Sequence, residues 1–339
     1  MNQLLFNRTY IIAEAGVNHN GSIKTAKKLI DIAADAGADA VKFQSFKTDN
    51  LVCESAPKAH YQKIENSEES QYQMLKKLEL SKEAHFELIQ YCSNRIQFLS
   101  SPFDRESLAF LKQFNLPFTK IPSGEITNLP LLIQIARIMK PVILSTGMAT
   151  IDEIGNALDV LNKNGLDSNQ IVILHCITDY PARYQDVNLR AMLTIAKHFP
   201  DIAAFGYSDH TMGIEIPIAA VSLGAKVIEK HFTISNQMSG PDHKASLNPD
   251  ELKAMVKAIR NVETAFGDGV KRPAASEILN KEIVRKSIVA SKNILKDDIF
   301  CNQNITVKRP GNGLSPMLWE DLIGKKATKS FKKNELISL

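Results

Sequence analysis

The chain has 339 residues, with 41 Lys+Arg against 37 Asp+Glu for a formal net charge of +4, and it is 44% hydrophobic and 23% charged. That composition is ordinary for a globular protein and excludes a disordered, collagenous or disulfide-framed secreted chain. The small positive charge is spread along the sequence, which implies no nucleic-acid partner and leaves anionic small molecules open as ligands.

Eight short apolar runs read as buried strands, at 9–18, 39–46, 96–103, 118–126, 141–148, 171–178, 202–210 and 227–233. Most are continuous and rich in Val and Ile, as a strand covered on both faces requires. Helix-period segments lie between them. The first, SIKTAKKLIDIAADAG, puts Ile23, Ala26, Leu29, Ile30 and Ala33 on one stripe, with Gly37 just beyond as a stop. Ser81, Asp104 and Thr150 are placed to cap later helices. Strand–helix alternation repeated in this way predicts a (β/α)8 TIM barrel over residues 1–267. A doubly wound sheet is the alternative, but no Gly-rich phosphate loop follows the first strand.

Beyond the barrel the alternation stops. Residues 268–286 read as a linker with a short helix, and 287–339 as a small β-rich domain with strand-like SIVAS, ITVKRPGNGL and ELISL. A unit of this size is near the lower limit for independent stability and is expected to lean on the barrel or on a second chain. Cys53, Cys92, Cys176 and Cys301 form no CxxC pair, so reduced thiols are expected. The N-terminal MNQLLFNRTYIIAEAG lacks a secretory pattern, and no apolar run approaches the roughly 20 residues that span a bilayer. The expected compartment is the cytoplasm, with no membrane partner.

Polar residues gather where each strand runs out: Glu14, Asn18 and His19; Lys42 and Gln44; Ser100 and Ser101; Lys120, Ser123 and Glu125; Ser145 and Thr146; Thr178, Asp179 and Tyr180; Ser208, Asp209 and His210; Glu229, Lys230 and His231. In a barrel these ends converge on one mouth. Loop polarity alone does not explain Lys42, Glu125, Glu229 and Lys230, whose charges lie inside apolar strands.

His210 and His231 end neighbouring strands, about 4.8 Å apart in a barrel, so their imidazoles can share a borderline ion such as Mn²⁺. Two unrelated polar residues are the competing reading. His19, His175 and His243 are weaker candidates, and His60, His85 and His198 read as surface residues. Lys42, Lys120 and Ser123, with Ser101, Ser145 and Ser208, make a cradle for a phosphate or carboxylate, unless the lysines pair with Glu14 or Glu229. Glu14 and Glu125 are carboxylates available for proton transfer or charge stabilisation. A metal, an anion cradle and two carboxylates suit carbon–carbon bond formation with a small phosphorylated anion.

The motifs IIAEAGVNHNGS, VKFQSFK, SSPFD, KIPSGEI, ILSTGM, GYSDHT, EKHFT and GPDHKASL occur in the order seen in bacterial sialic acid synthases. VKRPGNGL resembles the signature of their antifreeze-like (SAF) domain. The resemblance implies a barrel followed by that small domain in a domain-swapped homodimer. It further implies condensation of phosphoenolpyruvate with an N-acylated mannosamine-type sugar, giving a nine-carbon 2-keto acid and phosphate.

Carried over by position, His210 and His231 would ligate Mn²⁺, with Mg²⁺ or Co²⁺ as alternatives. Lys42, Ser101, Lys120, Ser123, Ser145 and Ser208 would hold phosphoenolpyruvate, with Glu14 beside its reacting carbons. Glu125 would lie near the metal and the sugar aldehyde, Tyr180 and Asp242 would face the sugar, and Arg309 would reach the partner's sugar N-acyl group. Members that use N-acetylmannosamine typically carry Asn where this chain has Thr178. SAPKAHYQKIENSEESQYQMLKKLEL and SGEITNLPLL are more similar to the legionaminic acid branch, which uses 2,4-diacetamido-2,4,6-trideoxymannose. N-acetylneuraminate synthesis is the runner-up. A phosphosugar keto-acid synthase and a non-catalytic sugar-binding protein are further alternatives.

Overall fold

The computed structural model describes residues 7–59, 62 and 69–339. Its first compact unit ends at Phe266 and its second begins at Gly267. The first unit carries β1 (Tyr10–Gly16), β2 (Ala40–Ser45), β3 (Gln97–Pro102), β4 (Thr119–Ile121), β5 (Val142–Ser145), β6 (Ile171–Cys176), β7 (Ala204–Asp209) and β8 (Val227–His231). They pair in parallel in the order β3-β2-β1-β8-β7-β6-β5-β4. The remaining neighbours, β3 and β4, adjoin without forming a ladder. The result is a near-closed TIM-type barrel.

Local chemistry explains the helices around it. The helix Ile23–Asp35 buries Ala26, Leu29, Ile30 and Ala33, and Gly37 past its end takes φ +79°. The Ser81, Asp104 and Thr150 side chains accept from the backbone N–H groups of Ala84, Ser107 and Glu153, as their spacing predicts. No helix among the described residues is long and apolar enough to cross a membrane.

Alternation along the strands builds the interior in layers. Ile12, Ala40, Leu99, Phe118, Ile143, Val172, Leu174 and Val227 pack together as an apolar floor. Two residues further along their strands stand Glu14, Lys42, Ser101, Lys120, Ser145, Cys176 and Glu229, on the same inner face. Ser208 completes this layer on β7, two residues after Gly206. A side chain at Gly206 would stand 2.1 Å from the carbonyl oxygen of Val227, so the strand can pass there only as glycine.

The second unit has its own core, in which Ile288, Ile294, Phe300, Ile305, Leu322, Phe331 and Ile337 are buried. Its β9 (Ser287–Ala290) and β10 (Ile305–Lys308) pair antiparallel. The ELISL segment, read as strand-like, contributes one bridge between Leu336 and Val289. The helix Ala275–Val284 groups with this unit, where Gly311 N–H donates to the carbonyl of Glu282.

Candidate active site

The inner layer is a buried charge network. Lys42 Nζ lies 2.7 Å from Glu14 Oε2 and 3.5 Å from Glu229 Oε2, and donates to Ser101 Oγ at 2.9 Å. Lys120 Nζ lies 3.5 Å from Glu229 Oε1 and donates to Ser145 Oγ at 2.6 Å. Ser208 Oγ donates to Glu229 Oε1 at 2.9 Å. The strand register sets two of these contacts, with Glu14 beside Lys42 of β2 and Ser208 beside Glu229 of β8, while both lysines reach Glu229 from strands that do not adjoin β8.

All four charged groups are buried. Burial pushes the Glu14 carboxyl above its ordinary range against the pull of Lys42, with Glu229 adding to the rise. Burial acts the same way on Glu229, but Lys120 and Lys42 outweigh it and hold that carboxylate below the usual range. Burial lowers Lys120, with Glu229 opposing it. Lys42 is driven down by burial but held above its ordinary value by Glu14 and Glu229. Both lysines thus pair with Glu14 or Glu229, the competing reading of the sequence, and the ring of hydroxyls beside them offers a small anion further donors.

The next layer carries the imidazoles. The His210 and His231 ring centroids are 5.4 Å apart, and Tyr180 stacks on His210 at 4.1 Å. His210 uses Nδ1 on the carbonyl of Ile177, while buried His231 Nδ1 has no hydrogen-bond partner. Asp242 Oδ2 lies 3.8 Å from that nitrogen, too far to bond it. Burial keeps both imidazoles neutral, the form that binds metals. Two neutral imidazoles, one with an orphaned nitrogen beside a carboxylate, fit a borderline divalent ion. No group of three or more His, Cys, Asp or Glu among the described residues forms a metal cage, so an ion here would draw further ligands from water or substrate.

A model described as the NeuB family matches residues 29–271, and one described as the SAF domain matches 285–339. The chain belongs to the NeuB family. It is 56% identical over 333 residues, 97% of this chain and 99% of the relative, to N,N'-diacetyllegionaminic acid synthase of Campylobacter jejuni. The synthase of that name from Legionella pneumophila is 46% identical over 94% of this chain and 90% of its own length. Human N-acetylneuraminate-9-phosphate synthase is 35% identical over 97% and 91%. The crystal structure of an N-acetylneuraminic acid synthetase from Leptospira borgpetersenii, in complex with citrate, superposes with a TM-score of 0.70 at 35% identity, covering 81% of this chain and 90% of that one.

In this NeuB-family barrel the remaining sequence candidates are placed as follows. Ser123 and Glu125 share the short turn after β4. Ser123 Oγ accepts from Gly147 N–H and lies 3.1 Å from Cys176 Sγ, and Asn128 donates to Glu125 at 2.6 Å. Burial raises the Glu125 carboxyl above its ordinary value. Thr178 is half-buried against Gly147, where an added Cβ would meet its methyl at 2.6 Å. Arg309 lies in the second unit, exposed, with Nε donating to the carbonyl of Val284 at 3.0 Å.

Several readings change. His85 is buried, not on the surface: it bonds Ser45 Oγ at 2.7 Å and the carbonyl of Ser81 at 2.9 Å. Its distant partner on β2 gives no local sequence signal. His60 lies outside the described residues. Lys230 pairs with Asp209 at 2.5 Å, away from the inner layer, because it alternates with Glu229. Glu229, one of the in-strand charges that loop polarity does not explain, pairs with both lysines, as the competing reading of the cradle allows. Counting in twos from Val227 finds it.

Proposed function

We propose that the chain condenses phosphoenolpyruvate with 2,4-diacetamido-2,4,6-trideoxymannose, releasing phosphate and forming N,N'-diacetyllegionaminic acid. The observation that carries this reading is the buried inner layer of Lys42, Lys120, Ser101, Ser145 and Ser208 around Glu14 and Glu229. The near-full-length identity to synthases with that named product supports the choice of sugar.

In this reading Lys42 and Lys120, with Ser101, Ser123, Ser145 and Ser208, bind the carboxylate and phosphate of phosphoenolpyruvate. C3 of phosphoenolpyruvate attacks the aldehyde carbon of the open-chain sugar, leaving C2 cationic. Glu14, fixed against Lys42, stabilises that charge. Water adds to C2, and the C2–O bond to phosphate breaks with the bridging oxygen leaving on phosphate. Glu125, kept by burial above the ordinary carboxyl range, is suited to proton exchange near the sugar.

His210 and His231 would hold the divalent ion, Mn²⁺ first and Mg²⁺ or Co²⁺ as alternatives, with Asp242 beside them. When bound, that ion supplies Lewis-acid polarisation of the aldehyde. Tyr180, Thr178 and Asp242 face the sugar.

Arg309 would reach the N-acyl group of a sugar in a partner's barrel, in a domain-swapped homodimer. The helix Ala275–Val284 leaves Ile278, Leu279 and Ile283 exposed, an apolar face suited to a subunit contact. The proposed compartment is the cytoplasm, and the product's use lies in surface-polysaccharide synthesis.

The test is phosphate release from phosphoenolpyruvate with Mn²⁺, offering the diacetamido sugar and N-acetylmannosamine in parallel. A strong preference for the diacetamido sugar is expected. A preference for N-acetylmannosamine would turn the reading to N-acetylneuraminate synthesis.

A further inference from the structure

Beside the imidazoles the barrel mouth opens into a cavity of about 390 Å³, with Tyr180 in its wall. Tyr180 also stacks on His210, so the cavity and the histidine pair share one side chain. The volume lies within the range of about 300–1,000 Å³ of small-molecule sites. Its walls are apolar where Met74, Leu78, Pro181 and Pro241 stand.

That apolar wall is built, not incidental. Met74 lies on the helix Gln71–Lys76, whose start is fixed by a reciprocal cap between Ser70 and Gln73. Met74 and Leu75 pack against a cluster of Val17, Phe46 and Leu78. Two of the three lysines that line it are committed to a carboxylate: Glu69 takes Lys58 at 3.0 Å and Lys77 at 2.7 Å, and Lys244 is the third. An apolar wall beside Lys58 and Lys77, both already paired with Glu69, favours an uncharged, methyl-bearing group over a phosphate.

We propose that this cavity is the specificity subsite for the far end of the sugar, with Met74 packing on the 6-methyl and 4-acetamido groups and a 6-phosphate excluded. The assignment rests on the function proposed above and names the part of the site that chooses the sugar. An aldehyde beside the histidines directs the opposite end of a six-carbon chain past Tyr180 into the cavity. A methyl-sized difference in such a pocket is worth about 10–200-fold in kcat/KM.

The test uses the full-length protein with Met74→Gln and Met74→Leu, reading kcat/KM for the diacetamido sugar and for N-acetylmannosamine. Met74→Gln is expected to lower the ratio of the two at least about tenfold, through KM for the diacetamido sugar, and Met74→Leu to keep it. A parallel fall for both sugars, an unchanged ratio in Met74→Gln, or an equal fall in Met74→Leu overturns the subsite. A second measurement needs no variant: competition against the diacetamido sugar by 2,4-diacetamido-2,4-dideoxymannose 6-phosphate, which carries at C6 the oxygen that the 6-deoxy sugar lacks. Binding of the phosphosugar at least about tenfold weaker is expected, and equal or tighter binding overturns the subsite. Failure of the unsubstituted protein to turn over the diacetamido sugar at all would instead overturn the functional reading, and the subsite with it.

Discussion

The two polar layers of the barrel are built on different principles. The inner layer is carried by strands: its lysines, carboxylates and serines sit at period-two positions and bond one another between neighbouring strands and, at Glu229, across the lumen. The outer layer, to which the proposed function assigns the sugar, is carried by strand ends and loops. There Thr178 and Tyr180 follow β6, Asp242 follows β8, and Met74 comes from a helix between β2 and β3. A strand layer has little freedom, because moving one residue by a single position turns it out of the lumen. Loops can vary without disturbing the ladder. Chemistry common to a family suits the first arrangement, and choice of sugar suits the second.

The comparison can be broken by substitutions that act on the wrong property. His210→Ala or His231→Ala is expected to abolish measurable turnover with either sugar and to abolish recovery by Mn²⁺ after chelation, read as phosphate release. Lys120→Ala removes an inner-layer cation and should lower kcat/KM for phosphoenolpyruvate by about 10²–10³, equally with both sugars. It should also lower the melting temperature, because buried Glu229 loses a partner. Thr178→Asn changes a residue the proposed function places on the sugar and should shift the ratio of kcat/KM values towards N-acetylmannosamine by about tenfold, with KM for phosphoenolpyruvate little changed. A large rise in that KM would show that the layers are not separable.

A further expected effect is on stability alone. His19 is fully buried, and burial, with His85 and His243 adding to it, lowers its pKa to about 4. The unfolded chain, with an ordinary histidine near about 6.5, takes up the proton first as the pH falls. The stabilisation is therefore present above about pH 6.5 and lost as pH falls towards 4, by up to about 3 kcal/mol. Melting temperatures measured between these values should fall less steeply in His19→Asn than in the parent, while His85, also lowered by burial, keeps part of the slope.

These contrasts also mark what was legible in the sequence. The eight strands, the caps at Ser81, Asp104 and Thr150, and the convergence of Lys42, Lys120, Ser101 and Ser145 could be read because strand alternation and helix capping are local. Separating Glu229 from Lys230 takes one further step, choosing which of two alternating residues faces the lumen, and a continuous apolar strand does not mark that phase. His85 was misread because its partner Ser45 lies 40 residues away. The cavity behind Tyr180 had no periodic signal, since its walls come from loops after several strands and from a short helix, and only the resemblance of residues 55–80 to the legionaminic branch pointed to that wall.

The most direct test of the central claim is to run the reaction on phosphoenolpyruvate labelled with ¹⁸O at the bridging oxygen, with the diacetamido sugar and Mn²⁺, and to weigh both products. The expected result is a nine-carbon diacetamido keto acid without label and inorganic phosphate that carries it, because the C2–O bond is the one broken. Label retained in the sugar acid, or phosphate released with no nine-carbon product, would contradict the account.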